Sequence, residues 1–196
     1  MLAFAVGAGL PLAGSTAAQS PRTRVVNEPV CASPLETGVR TRRMFCDVMA
    51  AVLPEQSITI TIPPRDGGAT LYFDLHNRFD LPARDETVRY ARHLAVVRVV
   101  DESGALIDRA AVLREFRSEA DLFDRLSGGA RPDGVKGVAP GPPEAIRVTI
   151  PPGPSVIGIV GEGLEVRGAD GRDEHYDAPG RPVAIASNIR LEYTPR

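Results

Sequence analysis

The chain contains 196 residues, of which 43% are hydrophobic and 24% are charged, a composition that suits one soluble domain with a core of its own. The formal net charge of −2 gives no support to a nucleic-acid partner or to an anionic membrane surface, both of which attract basic proteins. The 19 glycines and 18 prolines, together with the lack of tryptophan, favour many short strands and tight turns.

Residues 1–18 predict a secretory signal peptide. Residues 2–14 are uncharged and mostly apolar, and the small residues Thr-Ala-Ala precede a cleavage site at Gln19. The signal is atypical because no lysine or arginine precedes the apolar run. That run contains Pro11 and is shorter than the ~20 residues that a membrane span needs. We therefore expect a periplasmic or secreted protein with no membrane span in its mature chain.

The two cysteines, Cys31 and Cys46, lie in a region that we expect to be extended and then helical, residues 19–56. Their spacing fits neither a C-x-x-C redox motif nor the paired ligands of structural zinc. In an exported protein the pair predicts one disulfide. In the chain-entropy description, closing this loop stabilises the folded state by about 3 kcal/mol.

An arginine-rich stretch between the cysteines leads into the predicted helix. Residues 40–53 have apolar side chains at helical spacing, namely Phe45, Val48, Met49 and Val52. The arginines leave three interpretations open, which are an anion cradle, a dibasic processing site and the solvated edge of the helix. They are Arg40, Arg42 and Arg43.

From residue 57 onward the apolar residues recur with the period of two that is typical of β-strands. Residues 57–62 alternate isoleucine with serine or threonine, and Pro63 and Pro64 end this strand. A turn at residues 65–68 leads to a second alternating strand around Phe73. We expect the two strands to form a hairpin.

Residues 87–100 and 105–116 predict a second pair of strands. Both runs are dense in apolar residues at odd and even positions, which suits strands covered on both sides. The polar residues 101–104 provide the turn between them. A helix over residues 87–100 remains an open alternative.

Residues 118–126 predict a short helix, and residues 127–143 predict a long surface loop. Ser118 is a good N-cap, and Glu119 and Asp121 place negative charge at the positive first turn. The following segment is rich in glycine and proline and almost free of large apolar residues.

The remaining residues predict further strands around Val148, Val156 and residues 181–193, with a turn at residues 169–171. In the last strand we expect five side chains to face the core: Val183, Ile185, Ile189, Leu191 and Tyr193. The predicted fold is a single-domain antiparallel β-sandwich over residues 57–196, jelly-roll-like or Ig-like, with one or two short helices.

The segments 57–64 and 145–152 share the pattern I-x-[IV]-T-I-P-P. One interpretation is a duplicated β-unit. The other is that Pro-Pro recurs because proline cannot continue a central ladder. The similarity fades after the prolines, which favours the second interpretation.

The stretch YFDLHNRFD at residues 72–80 contains the most chemically suggestive side chains. In a strand, Tyr72, Asp74 and His76 share one face, because alternate side chains point to the same side of a sheet. Asp74 could orient His76 as in a catalytic pair, and such a pair could begin a metal site. No third ligand lies nearby in the sequence, so the preferred interpretation is a polar sheet face that fixes the strand end through hydrogen bonds. A binding face formed by the same three side chains is the alternative.

Residues 170–177 place acidic side chains in one turn, where calcium could bind in an extracellular protein. The candidate ligands are Asp170, Asp173 and Asp177. Their spacing differs from the D-x-[DN]-x-[DN]-G calcium loop, and Arg172 offsets part of the charge. A solvated turn is the preferred interpretation, and we expect no metal and no other cofactor.

The sequence lacks the G-x-S-x-G, H-E-x-x-H, phosphate-loop and dinucleotide-binding motifs. We therefore expect a non-catalytic binding or structural protein of the cell envelope or extracellular space. Its partner is expected to be a protein or another envelope component. The alternative is a small hydrolase or metal-dependent enzyme that uses Asp74 and His76. A third possibility is an assembly subunit that pairs through an edge strand.

Overall fold

The computed structural model describes residues 23–25, 29–79, 90–127 and 135–196. Its strands are β1 (Thr23–Val25), β2 (Val30–Cys31), β3 (Phe45–Met49), β4 (Ile58–Thr61), β5 (Arg65–Asn77), β6 (Ala91–Asp101), β7 (Leu106–Phe116), β8 (Leu122–Ser127), β9 (Val135–Pro140), β10 (Glu144–Ile150), β11 (Val156–Gly168), β12 (Asp173–Tyr176) and β13 (Pro182–Pro195). Two 3₁₀ turns occupy Pro54–Gln56 and Glu119–Asp121.

The strands form two antiparallel sheets that pack face to face. In the five-stranded sheet, β13 lies between β5 on one side and β1 and β3 on the other, and β10 pairs with the far edge of β5. In the six-stranded sheet, β11 pairs with β6 on one side and with both β4 and β12 on the other. β7 pairs with the far side of β6, and β2 pairs with the far side of β4. The predicted antiparallel β-sandwich is confirmed.

One core lies between the sheets because alternate residues of each strand point inward. Leu71 and Phe73 contribute from the five-stranded sheet, and Ile157 and Ile159 contribute from the six-stranded sheet. The predicted pairing of residues 87–100 with 105–116 is confirmed for the part that the structure describes, where β6 (Ala91–Asp101) and β7 (Leu106–Phe116) form a hairpin. The outward side chains of β7 are mostly exposed, however, so that strand is not covered on both sides.

The two Pro-Pro segments are corners at which the chain crosses from one sheet to the other. β4 belongs to the six-stranded sheet and β5 to the five-stranded sheet, so the predicted hairpin between them is wrong. β10 and β11 cross in the opposite direction. The corners lie side by side, since the backbone N–H of Ile62 donates to the carbonyl of Ser155 over 2.8 Å. Sequence spacing does not reveal whether a turn reverses within a sheet or changes sheet.

The helix predicted over residues 40–53 is wrong, because strand β3 occupies its centre. β3 is covered on both faces, with Val48 in the main core and Phe45 in a second, smaller cluster. A strand buried on both sides has apolar residues at odd and even positions, and this distribution imitates helical spacing.

The helix predicted over residues 118–126 is also wrong beyond its first turn. The Ser118 hydroxyl does accept a hydrogen bond from the N–H of Ala120 over 3.3 Å, as an N-cap should. The next residues then extend as β8 and pair with β9. Strand β9 lies inside the predicted loop of residues 127–143, of which residues 128–134 lie outside the described chain.

The β8–β9 hairpin covers part of the outer face of the five-stranded sheet. A second apolar cluster lies beneath it, formed by Phe45, Leu126, Val138 and Ile185. Ile185 therefore faces this cluster and not the main core. A bulge at Asn188, which has a φ of 52°, shifts the alternation, so that Ile189 and Leu191 point into the main core.

The predicted disulfide between Cys31 and Cys46 is present, with a Cα–Cα distance of 5.9 Å. Cys31 belongs to β2 in the six-stranded sheet, and Cys46 belongs to β3 in the five-stranded sheet. The bond therefore joins the two sheets, and the sandwich includes strands that precede residue 57. The predicted signal peptide, residues 1–18, lies outside the described residues.

Candidate binding face

Strand β5 places Tyr72, Asp74 and His76 on the outer face of the five-stranded sheet, as their spacing predicts. Their inward neighbours Leu71 and Phe73 are buried in the main core. The three outward side chains nevertheless have different environments, because the β8–β9 hairpin covers only one end of β5.

His76 lies beneath the hairpin and is only 2% exposed. Its ring lies between Phe45 and Phe123, at centroid distances of 5.4 and 5.2 Å, and its Nε2 forms a 2.9 Å hydrogen bond with the Ser187 hydroxyl. Burial, reinforced by the positive charge of Arg43, lowers the pKa of His76 from 6.5 to about 4. At neutral pH the imidazole is therefore uncharged and inaccessible to a substrate.

Asp74 is bound by neighbours other than His76. Its carboxylate accepts a 2.5 Å charged hydrogen bond from the Arg43 guanidinium and a longer one, 3.4 Å, from the Asn188 amide. Within the described residues, Asp74 and His76 share no hydrogen bond. The Asp–His pair that the sequence suggested is not formed, since the two side chains point along the same face towards different partners.

The hairpin that buries His76 is anchored by Asp124. Its carboxylate accepts 2.9 Å hydrogen bonds from the backbone N–H groups of Arg40 and Thr41, and a further bond from the Thr41 hydroxyl. Burial raises the pKa of this carboxyl, but the hydrogen bonds outweigh that effect and hold it below its ordinary value. The anchor fixes the arginine-rich stretch against the hairpin.

Tyr72 lies at the uncovered end of β5, between two arginines. The strand register pairs Tyr72 with Arg147 of β10 on one side and with Arg190 of β13 on the other. The Arg190 guanidinium is 5.1 Å from the centre of the Tyr72 ring, and the Tyr72 hydroxyl donates to Glu192 over 3.0 Å. The outward row is therefore Arg–Tyr–Arg across three neighbouring strands.

We call this surface the Tyr72 face. It consists of Thr70, Tyr72, Arg147, Thr149, Arg190 and Glu192, and it includes a shallow depression of about 270 Å³. Within the described part of the chain, neither Arg147 nor Arg190 forms an ion pair with a carboxylate. The face can therefore hold an acidic group against an aromatic ring.

The sequence indicated Tyr72 but not its two arginine neighbours. Arg147 lies between Ile146 and Val148 in an alternating strand, so its outward direction could have been read from the pattern. The pattern does not reveal which strands far apart in the chain are neighbours, or in which register they pair. Register alone brings Arg147 and Arg190 to either side of one tyrosine.

The three calcium candidates do not converge on one point. Asp173 forms a two-point ion pair with Arg167 at 2.6 Å, Asp170 lies 3.5 Å from Arg172, and Asp177 lies beside His175. The described residues contain no group of three or more metal-ligating side chains. The structure thus gives the calcium interpretation no geometric support.

No protein-family model, curated protein or solved structure matches this chain. Among the residues with a described structure, no helix has the length and apolar character needed to cross a bilayer.

Proposed function

We propose that this protein is a non-catalytic binding protein of the cell envelope or extracellular space, and that it holds an acidic partner on the Tyr72 face. The observation that carries the proposal is the Arg147–Tyr72–Arg190 row. Guanidinium groups bind carboxylates through paired hydrogen bonds, and a tyrosine ring adds contact area at a low entropy cost.

The shape of the surface favours binding over catalysis. The Tyr72 face is an open sheet surface, whereas an enzyme needs a pocket in which several reactive groups converge. The alternative of a hydrolase at Asp74 and His76 loses its support, because Arg43 binds Asp74 and the hairpin buries His76.

The proposed location outside the cytoplasm is supported by the Cys31–Cys46 disulfide. Such bonds persist in oxidising compartments and are rare in the cytosol. The signal-like N-terminus agrees with this location.

The proposal can be tested with two carboxylate polymers, poly-L-glutamate and polygalacturonate, immobilised on a biosensor surface. The first represents an acidic protein segment and the second an acidic polysaccharide. We expect binding to at least one polymer at 50 mM salt and much weaker binding at 500 mM, because salt screens exposed charges. Tyr72→Ala and Arg147→Gln should each weaken binding by about fivefold, the equivalent of roughly 1 kcal/mol.

The matched control is Arg172→Gln, which removes the same charge from an exposed turn on the other sheet. It should leave the affinity within twofold of the wild type. An absence of binding to both polymers, or an equal loss from Arg172→Gln, would contradict the proposed role of the Tyr72 face.

A further inference from the structure

A second combination of arginines with an aromatic ring lies beside the Tyr72 face, at the margin of the β8–β9 hairpin. The guanidinium groups of Arg40 and Arg43 lie 5.2 and 6.0 Å from the centre of the Phe123 ring. We call these three side chains the Phe123 cluster. Arg40 and Phe123 line a shallow depression of about 190 Å³. The cluster thus repeats the guanidinium–ring arrangement that Arg190 forms with Tyr72.

The acidic side chains around the Phe123 cluster are bound within the protein. Asp124 is buried and accepts hydrogen bonds from two backbone N–H groups of the arginine-rich stretch. Glu119 forms a 2.9 Å ion pair with Arg125, and both residues line the same depression. Arg40 is exposed, so its guanidinium is accessible to a carboxylate from outside the protein.

Strand β5 sets the distance between the Tyr72 face and the Phe123 cluster. His76 lies four residues beyond Tyr72 on the same face of β5, and the Phe123 ring is 5.2 Å from the His76 ring. Four residues of a strand span about 14 Å. An extended peptide has the same rise per residue, and its alternate side chains also point to one side. A peptide that lies along β5 therefore brings side chain i to the Tyr72 face and side chain i+4 to the Phe123 cluster.

Asp74 lies midway between the two sites and disfavours a third acidic group. It forms the 2.5 Å ion pair with Arg43 and also accepts the hydrogen bond from Asn188. The Asp74–Arg43 pair is neutral as a whole, so a carboxylate placed above it gains no net attraction. A polyuronate has a carboxylate on every repeat and places one here, whereas a peptide can place a neutral side chain at this position. The charge pattern therefore favours a peptide over an acidic polysaccharide.

We propose that the acidic partner is an extended protein segment with acidic side chains at positions i and i+4 and a neutral side chain at i+2. One acidic side chain binds between Arg147 and Arg190, and the other binds Arg40. The segment lies across the outer face of β5 and recognises side chains only, because β10 and β13 already pair with both edges of that strand. This inference rests on the proposed function, since it assigns the partner of the Tyr72 face.

The test is an NMR titration of the ¹⁵N-labelled protein at 50 mM salt with three glycine–serine peptides. One contains glutamate at i and i+4, the second contains glutamate at i and i+2, and the third contains a single glutamate. The first peptide should bind about fivefold more tightly than either of the others, because it alone reaches both sites at once. It should shift the amide signals of both Tyr72 and Phe123.

A charge reversal tests the role of Arg40 directly. Arg40→Glu should weaken the binding of the i/i+4 glutamate peptide at least tenfold, because it places two like charges together. The same variant should bind a peptide with one glutamate and one lysine at i and i+4 more tightly than the wild type does. Two such peptides, with the lysine at either position, cover both directions of the bound chain.

The matched control is Arg172→Glu, which reverses an exposed arginine in a turn of the other sheet and should leave every affinity within twofold of the wild type. Circular dichroism checks that each variant is folded.

Equal affinities for the i/i+2 and i/i+4 glutamate peptides would overturn the inference. So would an Arg40→Glu variant that gains no affinity for either glutamate–lysine peptide. If polygalacturonate binds in a way that depends on Arg147 and no peptide shifts an amide signal, the partner is an acidic polysaccharide. The proposed function then stands and this inference is wrong. If neither the polymers nor the peptides bind, both are wrong.

Discussion

The clearest quantitative consequence of the structure is a pH dependence of stability that originates at His76. Folding places this imidazole between Phe45 and Phe123, where burial and the nearby Arg43 charge lower its pKa from 6.5 to about 4. Between these two values the unfolded chain binds a proton that the folded chain does not bind. Acid therefore favours the unfolded state over this interval.

The size of this effect on the free energy of unfolding follows from the difference between the pKa values of His76 in the folded and unfolded states. A difference of about 2.5 pKa units, at about 1.4 kcal/mol per unit, corresponds to roughly 3 kcal/mol. The contribution of His76 is fully present above pH 6.5. It is lost progressively as the pH falls towards 4, below which both states are protonated and the free energy of unfolding no longer changes through this group.

The assay is urea unfolding of the wild type and of His76→Gln at pH 7.5, 5.5 and 4.0. The glutamine can keep a hydrogen bond to Ser187 but does not titrate. Between pH 7.5 and 4.0 we expect the free energy of unfolding of the wild type to fall by about 3 kcal/mol more than that of the variant. The contributions of His93 and Asp124 are common to both proteins and cancel in the comparison.

His175→Gln is the matched control, because it removes an exposed histidine. Its unfolding free energy should follow the wild-type pH curve. Parallel pH curves for the wild type and His76→Gln would refute the reasoning. A His76 titration midpoint above pH 6 in the NMR spectrum of the folded protein would refute it equally.

Two further predictions concern the disulfide and the anchor of the hairpin. Replacement of both Cys31 and Cys46 by serine should lower the free energy of unfolding by about 3 kcal/mol, because the bond closes a loop between residues 15 positions apart. An unchanged urea midpoint would argue against this. Gly38→Ala should lower the free energy of unfolding by about 1–3 kcal/mol and increase amide hydrogen exchange in β8. The reason is that the added Cβ would lie 2.7 Å from Phe45 and would also collide with Asp124. Thr37→Ala is its neighbouring control, and equal exchange rates in the two variants would count against the steric argument.

The sequence predicted most strands correctly because their period of two is a local property of the chain. It predicted residues 105–116 as a partner of the preceding strand, and β6 and β7 pair in that way. It failed at residues 45–49, where burial on both faces removes the alternation. It also failed at residues 118–126, where an N-cap begins a single turn and the chain then pairs as β8.

The sequence by itself determined the β-rich class, the disulfide pair and the shared face of Tyr72, Asp74 and His76. These features depend on composition and on the direction of side chains along one strand. Only the tertiary structure decided which strands are neighbours, and therefore that Arg147 and Arg190 flank Tyr72 while Arg43 binds Asp74. It also decided that His76 is buried beneath a hairpin. The physical reason is that register and sheet crossing depend on packing between distant segments, which no local pattern encodes.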